Sequence, residues 1–233
     1  LDTETVQLAK GFDGIDLQQT GDIKDPIIYQ TLAEFGIKQI TARMVGYDML
    51  DLNLATQYGL KVTNIAAYSP RAIAEMGVTQ GLYLIRHIGD FQARMNQGDF
   101  TWDGPVISQE IHDLTIGIIG AGHIGGATAQ IYTDLGASVL AVDPIENVEL
   151  TPYLTYTDLD TVLSQSDIVT IHTPLNDETK YMIHADSFKK MKSTAYFLNM
   201  ARGGLVKTAD LISALETGEI AGAGLDTLDH EQG

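Results

Sequence analysis

The chain has no cysteine among its 233 residues, so it can form neither a disulfide nor a thiolate metal site. Cations are scarce as well. Fourteen lysines and arginines face 31 aspartates and glutamates, giving a formal charge of −17. Phosphate-rich partners would be repelled by that balance, which disfavours nucleic acid and anionic membranes. No run of about 18 apolar residues is present, so no membrane span is expected. No secretory signal is visible, and the expected setting is cytoplasmic. The single tryptophan, Trp102, reads as packing. No segment is of low complexity, and no repeat of solenoid length occurs.

Between Arg94 and Lys180 there is no lysine or arginine at all. Inside that cation-free span lies the most informative stretch of the chain, LTIGIIGAGHIGG, from Leu114 to Gly126. A β-rich run enters Gly120-Ala121-Gly122-His123-Ile124-Gly125, and a helix-like run from about Ala127 to Leu135 leaves it. In this strand-to-helix context G-x-G-x-x-G has a physical meaning. Gly120 allows the tight turn, Gly122 lets a pyrophosphate approach the backbone, and Gly125 lets the helix pack against the strand. The helix N-terminus offers N–H groups and a positive dipole end to the phosphates. His123 and Ile124 belong to the same loop. A second strand, Ala137 to Val142, ends in Asp143, 18 residues after Gly125, where a carboxylate is expected to meet ribose hydroxyls. A 2′-phosphate usually meets a cation and would be repelled by Asp143, so NAD rather than NADP is the expected cofactor.

The first third of the chain alternates strands and helices. Gly14–Gln19, Ile37–Ala42 and Leu60–Ile65 read as strands, with Pro26–Phe35 and Leu52–Tyr58 as helices. Such alternation predicts a parallel sheet covered by helices. Pro70 opens a long apolar helix over about Arg71–Ile88 with Ser69 as its N-cap candidate. Its many apolar positions predict burial on most sides, at a junction of domains or subunits. Residues 97 to 113 look irregular. From Leu114 onward strand and helix repeat: strands at Thr115–Ile119, Ser138–Val142, Asp167–His172, Thr194–Asn199 and Ile220–Leu225, helices near Ile124–Leu135, Asp158–Ser164, Ala185–Met191 and Thr208–Glu216. The fold class is α/β, with a doubly wound parallel-sheet domain that binds a dinucleotide.

Ligands in such folds bind beyond the carboxyl ends of the strands. Polar residues stand at several of those ends: His172-Thr173-Pro174, Asn199 to Gly204, and Asp226 with Glu231 five residues later. Arg202 lies between a strand end and two glycines, where a guanidinium could clamp a carboxylate with paired hydrogen bonds. Taken alone, it reads equally well as a surface arginine in an ion pair.

Taken together, these segments resemble the D-isomer-specific 2-hydroxyacid dehydrogenases, and within them the D-lactate dehydrogenase group. The resemblance is carried by Arg43-Met44-Val45-Gly46-Tyr47-Asp48, Tyr68-Ser69-Pro70 with Ala74-Glu75, Gly120 to Gly125, His172-Thr173-Pro174, Asn199 to Gly204 and Gly224-Leu225-Asp226, in the family's order across nearly the whole chain. It implies hydride transfer from NADH to the C2 carbonyl of a 2-keto acid, giving a D-2-hydroxy acid, with pyruvate as the leading substrate. By this resemblance Arg202 binds and polarises the substrate, and Glu231 is the acidic partner of a catalytic histidine. Val45 and Gly46 receive the substrate carboxylate on their backbone N–H groups, and Tyr68 lines the substrate pocket. Thr173, Pro174, Thr179, Met200 and Ala201 line the cofactor, and Asp226 meets the nicotinamide amide.

The resemblance also implies a smaller flavodoxin-like substrate domain beside the NAD-binding domain. The expected division is 1–69 for that domain, 70–113 for an interdomain or dimerisation helix and its connection, and 114–233 for the NAD-binding domain. The expected assembly is a homodimer, and no metal is implied. Both ends look cut, because the chain begins at Leu1 and stops at Gly233. The family's proton-donating histidine is expected after that point, and none of the six histidines fills its place. A protein ending physically at Gly233 is therefore expected to bind NADH and to be nearly inactive. A 2-hydroxyisocaproate-type dehydrogenase and a non-enzymatic NAD-sensing scaffold remain as alternatives.

Overall fold

The structure, a computed structural model, describes residues 1–18, 21–101 and 107–229. Gln19, Trp102 and Glu231, singled out above, lie outside the described residues, as does His230. The chain divides into two units, residues 1–68 and the remainder from Ser69 onward.

The first unit is built on a three-stranded parallel sheet in the order β1-β2-β3: β1 (Gly14–Leu17), β2 (Gln39–Ala42) and β3 (Lys61–Asn64). Helices α1 (Pro26–Glu34) and α2 (Leu52–Gln57) make the two crossovers. Asp25 caps α1 by accepting from the Ile27 N–H at 2.9 Å, and Pro26 occupies the first turn, where its missing N–H costs nothing. Asp51 caps α2 through the N–H groups of Asn53 and Leu54. The core lies on one face of this sheet, where Ile40 and Ala42 meet Tyr29 and Leu32 of α1. Tyr29 is fully buried, yet its hydroxyl is satisfied. It donates to the Ile23 carbonyl at 2.6 Å and accepts from the Asp51 N–H at 2.8 Å, so the core of α1 also steadies the start of α2. The opposite face carries Asp16, Gln39, Thr41, Lys61 and Thr63, and Gln39 donates to the hydroxyls of Thr41 and Thr63.

The second unit holds a six-stranded, all-parallel sheet. Its strands are β4 (Thr115–Ile119), β5 (Ser138–Val142), β6 (Thr155–Tyr156), β7 (Ile168–Ile171), β8 (Tyr196–Asn199) and β9 (Gly222–Leu225), in the order β6-β5-β4-β7-β8-β9. The chain builds outward from β4 to β6, then crosses to the other side of β4 and continues to β9. The order therefore reverses between β4 and β7, which is where such sheets open a crevice for ligands. The connecting helices are α5 (His123–Asp134), α6 (Leu159–Gln165), α7 (Ala185–Lys190) and α8 (Thr208–Thr217), preceded by α3 (Pro70–Ile85) and α4 (Ile88–Asn96). Alternate strand residues feed two cores. Ile116, Ile118, Ile168, Tyr196 and Leu198 enter one; Ile119, Val169, Ile171 and Phe197 enter the other. A sheet covered on both faces needs continuously apolar strands, and β7 and β8 are buried at every position.

Three features differ from the sequence expectation. The long apolar helix stops at Ile85, Arg86 caps it, and His87 takes a left-handed conformation at φ 50° before α4 begins. Just beyond the break, Gly89 packs against the Tyr83 hydroxyl so closely that a Cβ there would lie 2.7 Å from it. Ser69 stands at the cap position of α3 without a side-chain hydrogen bond to the helix. Strand β6 was not read from sequence, since two residues carry no periodicity. Helix α3 packs into the second unit's core through Val78 and Ile85, and Gly81 lies against Tyr132 with no room for a side chain. Within residues 97–113, the described part is irregular apart from a 3₁₀ turn at Ile111–Asp113.

Candidate functional site

Strand β4 ends at Ile119, and Gly120 turns the chain at φ 91°, a region that side-chain-bearing residues avoid. A Cβ there would also sit 2.8 Å from the Thr173 hydroxyl oxygen. Gly125 allows the closest approach in the loop, because a Cβ on it would overlap the Gly120 carbonyl. Gly122 caps α5, and its missing side chain would point into open space. The first turn of α5 has no side-chain cap and no acidic residue, so its N–H groups are left for an external acceptor.

Asp143, one residue beyond β5, reaches this loop. Its Oδ2 accepts from the Ala121 N–H at 2.8 Å and its Oδ1 from the Ile145 N–H at 2.8 Å. A carboxylate offers about four lone-pair sites, so both oxygens keep acceptor capacity for hydroxyl groups. Directly after it, Ile145 and Val148 present apolar side chains to the surface, at 79% and 77% exposure. Open space at Gly122, an unfilled helix N-terminus and a pinned carboxylate fit the pyrophosphate and ribose of a dinucleotide. A 2′-phosphate beside Asp143 would meet like charge, which fits NAD.

The ends of the remaining strands converge on the same edge of the sheet. Thr173 donates to the Ile119 carbonyl at 3.2 Å, tying the loop after β7 to the end of β4. Thr179 closes the β7 loop by donating to the Pro174 carbonyl at 2.7 Å. His172 shares a 3.1 Å hydrogen bond through Nε2 with the Thr170 hydroxyl, while its Nδ1 is sealed without a partner. Burial pushes its pKa down to about 4, so the ring is neutral at pH 7 and serves neither as a cation nor as a ready acid.

Asn199, the last residue of β8, is buried and holds the turn that follows. Its Oδ1 accepts from the Ala201 N–H at 3.0 Å, and its Nδ2 donates to the Arg202 carbonyl at 2.9 Å. Met200 is buried in the core, and Ala201 packs against the other core cluster. Arg202 is half-buried, and its Nη1 donates to the Ala201 carbonyl at 2.9 Å. Asp226 leaves β9 with its N–H on the Asn199 carbonyl at 3.0 Å and its side chain exposed.

The structure thus brings Gly120, Gly122, Gly125, His123, Ile124, Asp143, Thr173, Pro174, Thr179, Met200, Ala201, Arg202 and Asp226 to one end of one sheet. Val45, Gly46 and Tyr68 belong to the first unit. The Val45 carbonyl accepts from the Asn64 side chain at 2.8 Å, and Tyr68 is 71% exposed rather than packed in a core. Sequence reasoning missed Asn199 as the holder of the Arg202 turn. An asparagine ending an apolar strand run was the available signal. Among the described residues, no cluster of three His, Asp or Glu side chains could hold a metal ion, and no helix is long and apolar enough to cross a membrane.

Comparison with known proteins points the same way. The family described as "D-isomer specific 2-hydroxyacid dehydrogenase, NAD binding domain" matches residues 78–233. A D-2-hydroxyacid dehydrogenase (NAD(+)) from Clostridioides difficile is 44% identical over 98% of this chain and 69% of its own length. A D-lactate dehydrogenase from Lactiplantibacillus plantarum is 43% identical over 99% of this chain and 69% of its own. The crystal structure of D-lactate dehydrogenase with NAD+ from Lactobacillus jensenii is 53% identical and superimposes with a TM-score of 0.83, over 100% of this chain and 70% of that one. With the glycine loop, Asp143 and the Arg202 turn assembled at one sheet edge, this chain belongs to the D-isomer-specific 2-hydroxyacid dehydrogenases, oxidoreductases that use NAD.

Proposed function

We propose that the chain reduces pyruvate with NADH to D-lactate. The observation that carries this reading is the shared edge of the six-stranded sheet, where the dinucleotide loop after β4 and the Arg202 turn after β8 stand at the same end with only β7 between them. The names of the similar proteins support lactate over longer 2-hydroxy acids. NADH, when bound, supplies the hydride. His123, Ile124, Thr173, Pro174, Thr179, Met200 and Ala201 line the cofactor, and Asp226 receives the nicotinamide amide.

The guanidinium of Arg202 binds the substrate carboxylate and polarises the C2 carbonyl. Charge grows on that oxygen during hydride transfer, so a cation aimed there stabilises the transition state more than the ground state. Asn199 supports this role by fixing the turn from both sides of Arg202. Val45 and Gly46 receive the carboxylate on backbone N–H groups, and the exposure of Tyr68 leaves its ring available to line a pocket. Glu231 stabilises the imidazolium that donates the proton and raises its pKa. In this reading none of the six histidines of the sequence is the proton donor, and the low pKa of His172 agrees with that.

The first unit is then a flavodoxin-like substrate domain (1–69). Residues 70–113 carry a homodimer contact, supported by the exposed apolar side chains of Met76, Tyr83, Ile88 and Met95. The test follows NADH oxidation at saturating pyruvate, 2-ketoisocaproate and phenylpyruvate, with Arg202→Lys as the control. Pyruvate is the expected best substrate. Lysine cannot make the paired hydrogen bonds, so kcat/KM falls by about a hundredfold or more. NADH binding by the full-length protein without oxidation of any keto acid would move the reading to a sensing scaffold.

A further inference from the structure

Tyr181 has no role in the reading above, yet its backbone is unusual. Among the described residues only His87 and Tyr181 combine a side chain with a positive φ, 52° in Tyr181. That conformation is unfavourable for an aromatic residue and persists where its surroundings over-determine it. Three connections do so here. The Tyr181 N–H donates to the Gly204 carbonyl at 2.8 Å, in the turn that carries Arg202. Its hydroxyl donates to Asp229 Oδ2 at 2.8 Å, on the segment leaving β9. Along the chain it ends the loop that leaves β7, which Asn176 closes by accepting from the N–H groups of Glu178 and Thr179.

One residue therefore joins the loops behind β7, β8 and β9. The Lys180 ammonium lies 5.4 Å from the centre of its ring. The β9 segment reaches Tyr181 only because Gly203 lacks a side chain: a Cβ there would overlap the Leu228 carbonyl and the Asp229 nitrogen. The hydrogen bond to the Asp229 carboxylate holds the Tyr181 phenol above its ordinary pKa, so the proton stays on oxygen as a donor.

We propose that Tyr181 is a positioning residue of the dehydrogenase site. By linking Gly204 to Asp229, it fixes the turn that carries Arg202 against the segment that leaves β9. The proposal rests on the role given to Arg202 above. Tyr181 touches no reacting atom; it acts through the loops it joins.

The test is steady-state kinetics and NADH titration on the full chain as wild type, Y181F, D229N and the double variant. Y181F removes one oxygen and keeps the ring and the backbone bond to Gly204. Its kcat for pyruvate reduction is expected to fall about tenfold, the effect of losing one hydrogen bond to a charged group. KM for pyruvate and Kd for NADH stay within about twofold. D229N, nearly isosteric, does the same, and it carries the expectation alone should Y181F fail to fold. The double variant is no worse than either single one, because both lose the same bond. A purely structural role would lower Tm and leave kcat at the wild-type value, which overturns the proposal, as do single losses that simply add. Turnover untouched by Y181F overturns the proposal alone. A wild type that oxidises NADH with no keto acid overturns the site reading and the proposal together.

Discussion

The two parallel sheets of this chain have the same connectivity rule and opposite exposures. In the three-stranded sheet, β2 reads QITA and buries every second residue, with Gln39 and Thr41 on the polar face. In the six-stranded sheet, β7 reads IVTI and β8 reads YFLN, and all eight positions are buried. Helix coverage accounts for the contrast. One face of the small sheet meets α1 and the other carries polar side chains, whereas the large sheet feeds a core on each side. A polar residue is thus informative in different ways in the two sheets. In the small one it marks the outward face. In the large one, Asp143, His172 and Asp226 each stand directly after a strand, where the ligand edge begins, and Thr170 is the polar exception inside β7.

The largest effect that could break this comparison is expected at Phe197. It is fully buried in β8 and meets Phe188 edge-on at 5.6 Å between ring centroids. Phe197→Ala should cost about 3–5 kcal/mol in urea unfolding of the second unit. A cost under about 1 kcal/mol would mean that the second face is not a core.

His172 sharpens the comparison through pH. Its folded pKa of about 4 lies below the unfolded value of 6.5, so the unfolded chain binds the proton first. Above 6.5 the ring is neutral in both states and costs nothing. As pH falls from there towards 4, stability is lost at about 1.4 kcal/mol per pH unit, and the slope disappears below the folded pKa. Urea unfolding at pH 7.0, 5.5 and 4.5 should therefore show a shallower decline for His172→Asn than for the wild type. Parallel declines would show that the ring is not sealed from water.

The smallest effect belongs to the outward face of the small sheet. Thr63→Val removes a hydroxyl that accepts from Gln39 at 3.0 Å in solvent. The stability of the first unit should move by no more than about 0.5 kcal/mol. A loss of about 2 kcal/mol would reveal that this face is covered in solution.

Much of this architecture was legible before any coordinates. Strands β4 and β5 begin and end at the residues read from their apolar runs, and the glycine loop with Asp143 follows from spacing alone. The break between α3 and α4 was not legible, because the residue that turns left-handed there is His87, and neither glycine nor proline stands at that position. Tyr181 was missed for a related reason. Its partners, Gly204 and Asp229, are 23 and 48 residues away, and no periodicity records a bond of that range. Asn199 and Arg202 stood out by position in the sequence, yet the bonds that hold their turn needed coordinates.

The bond between Asp143 and the Ala121 N–H links the carboxylate after β5 to the glycine loop after β4 within the protein itself. The Thr173 hydroxyl clamps the same loop from beneath. Both links are made by the protein's own groups, so they leave the loop little backbone freedom for association to remove. Coenzyme capture then proceeds as docking to a finished mould. Differences in affinity between related nucleotides should arise mainly from how long each one stays bound.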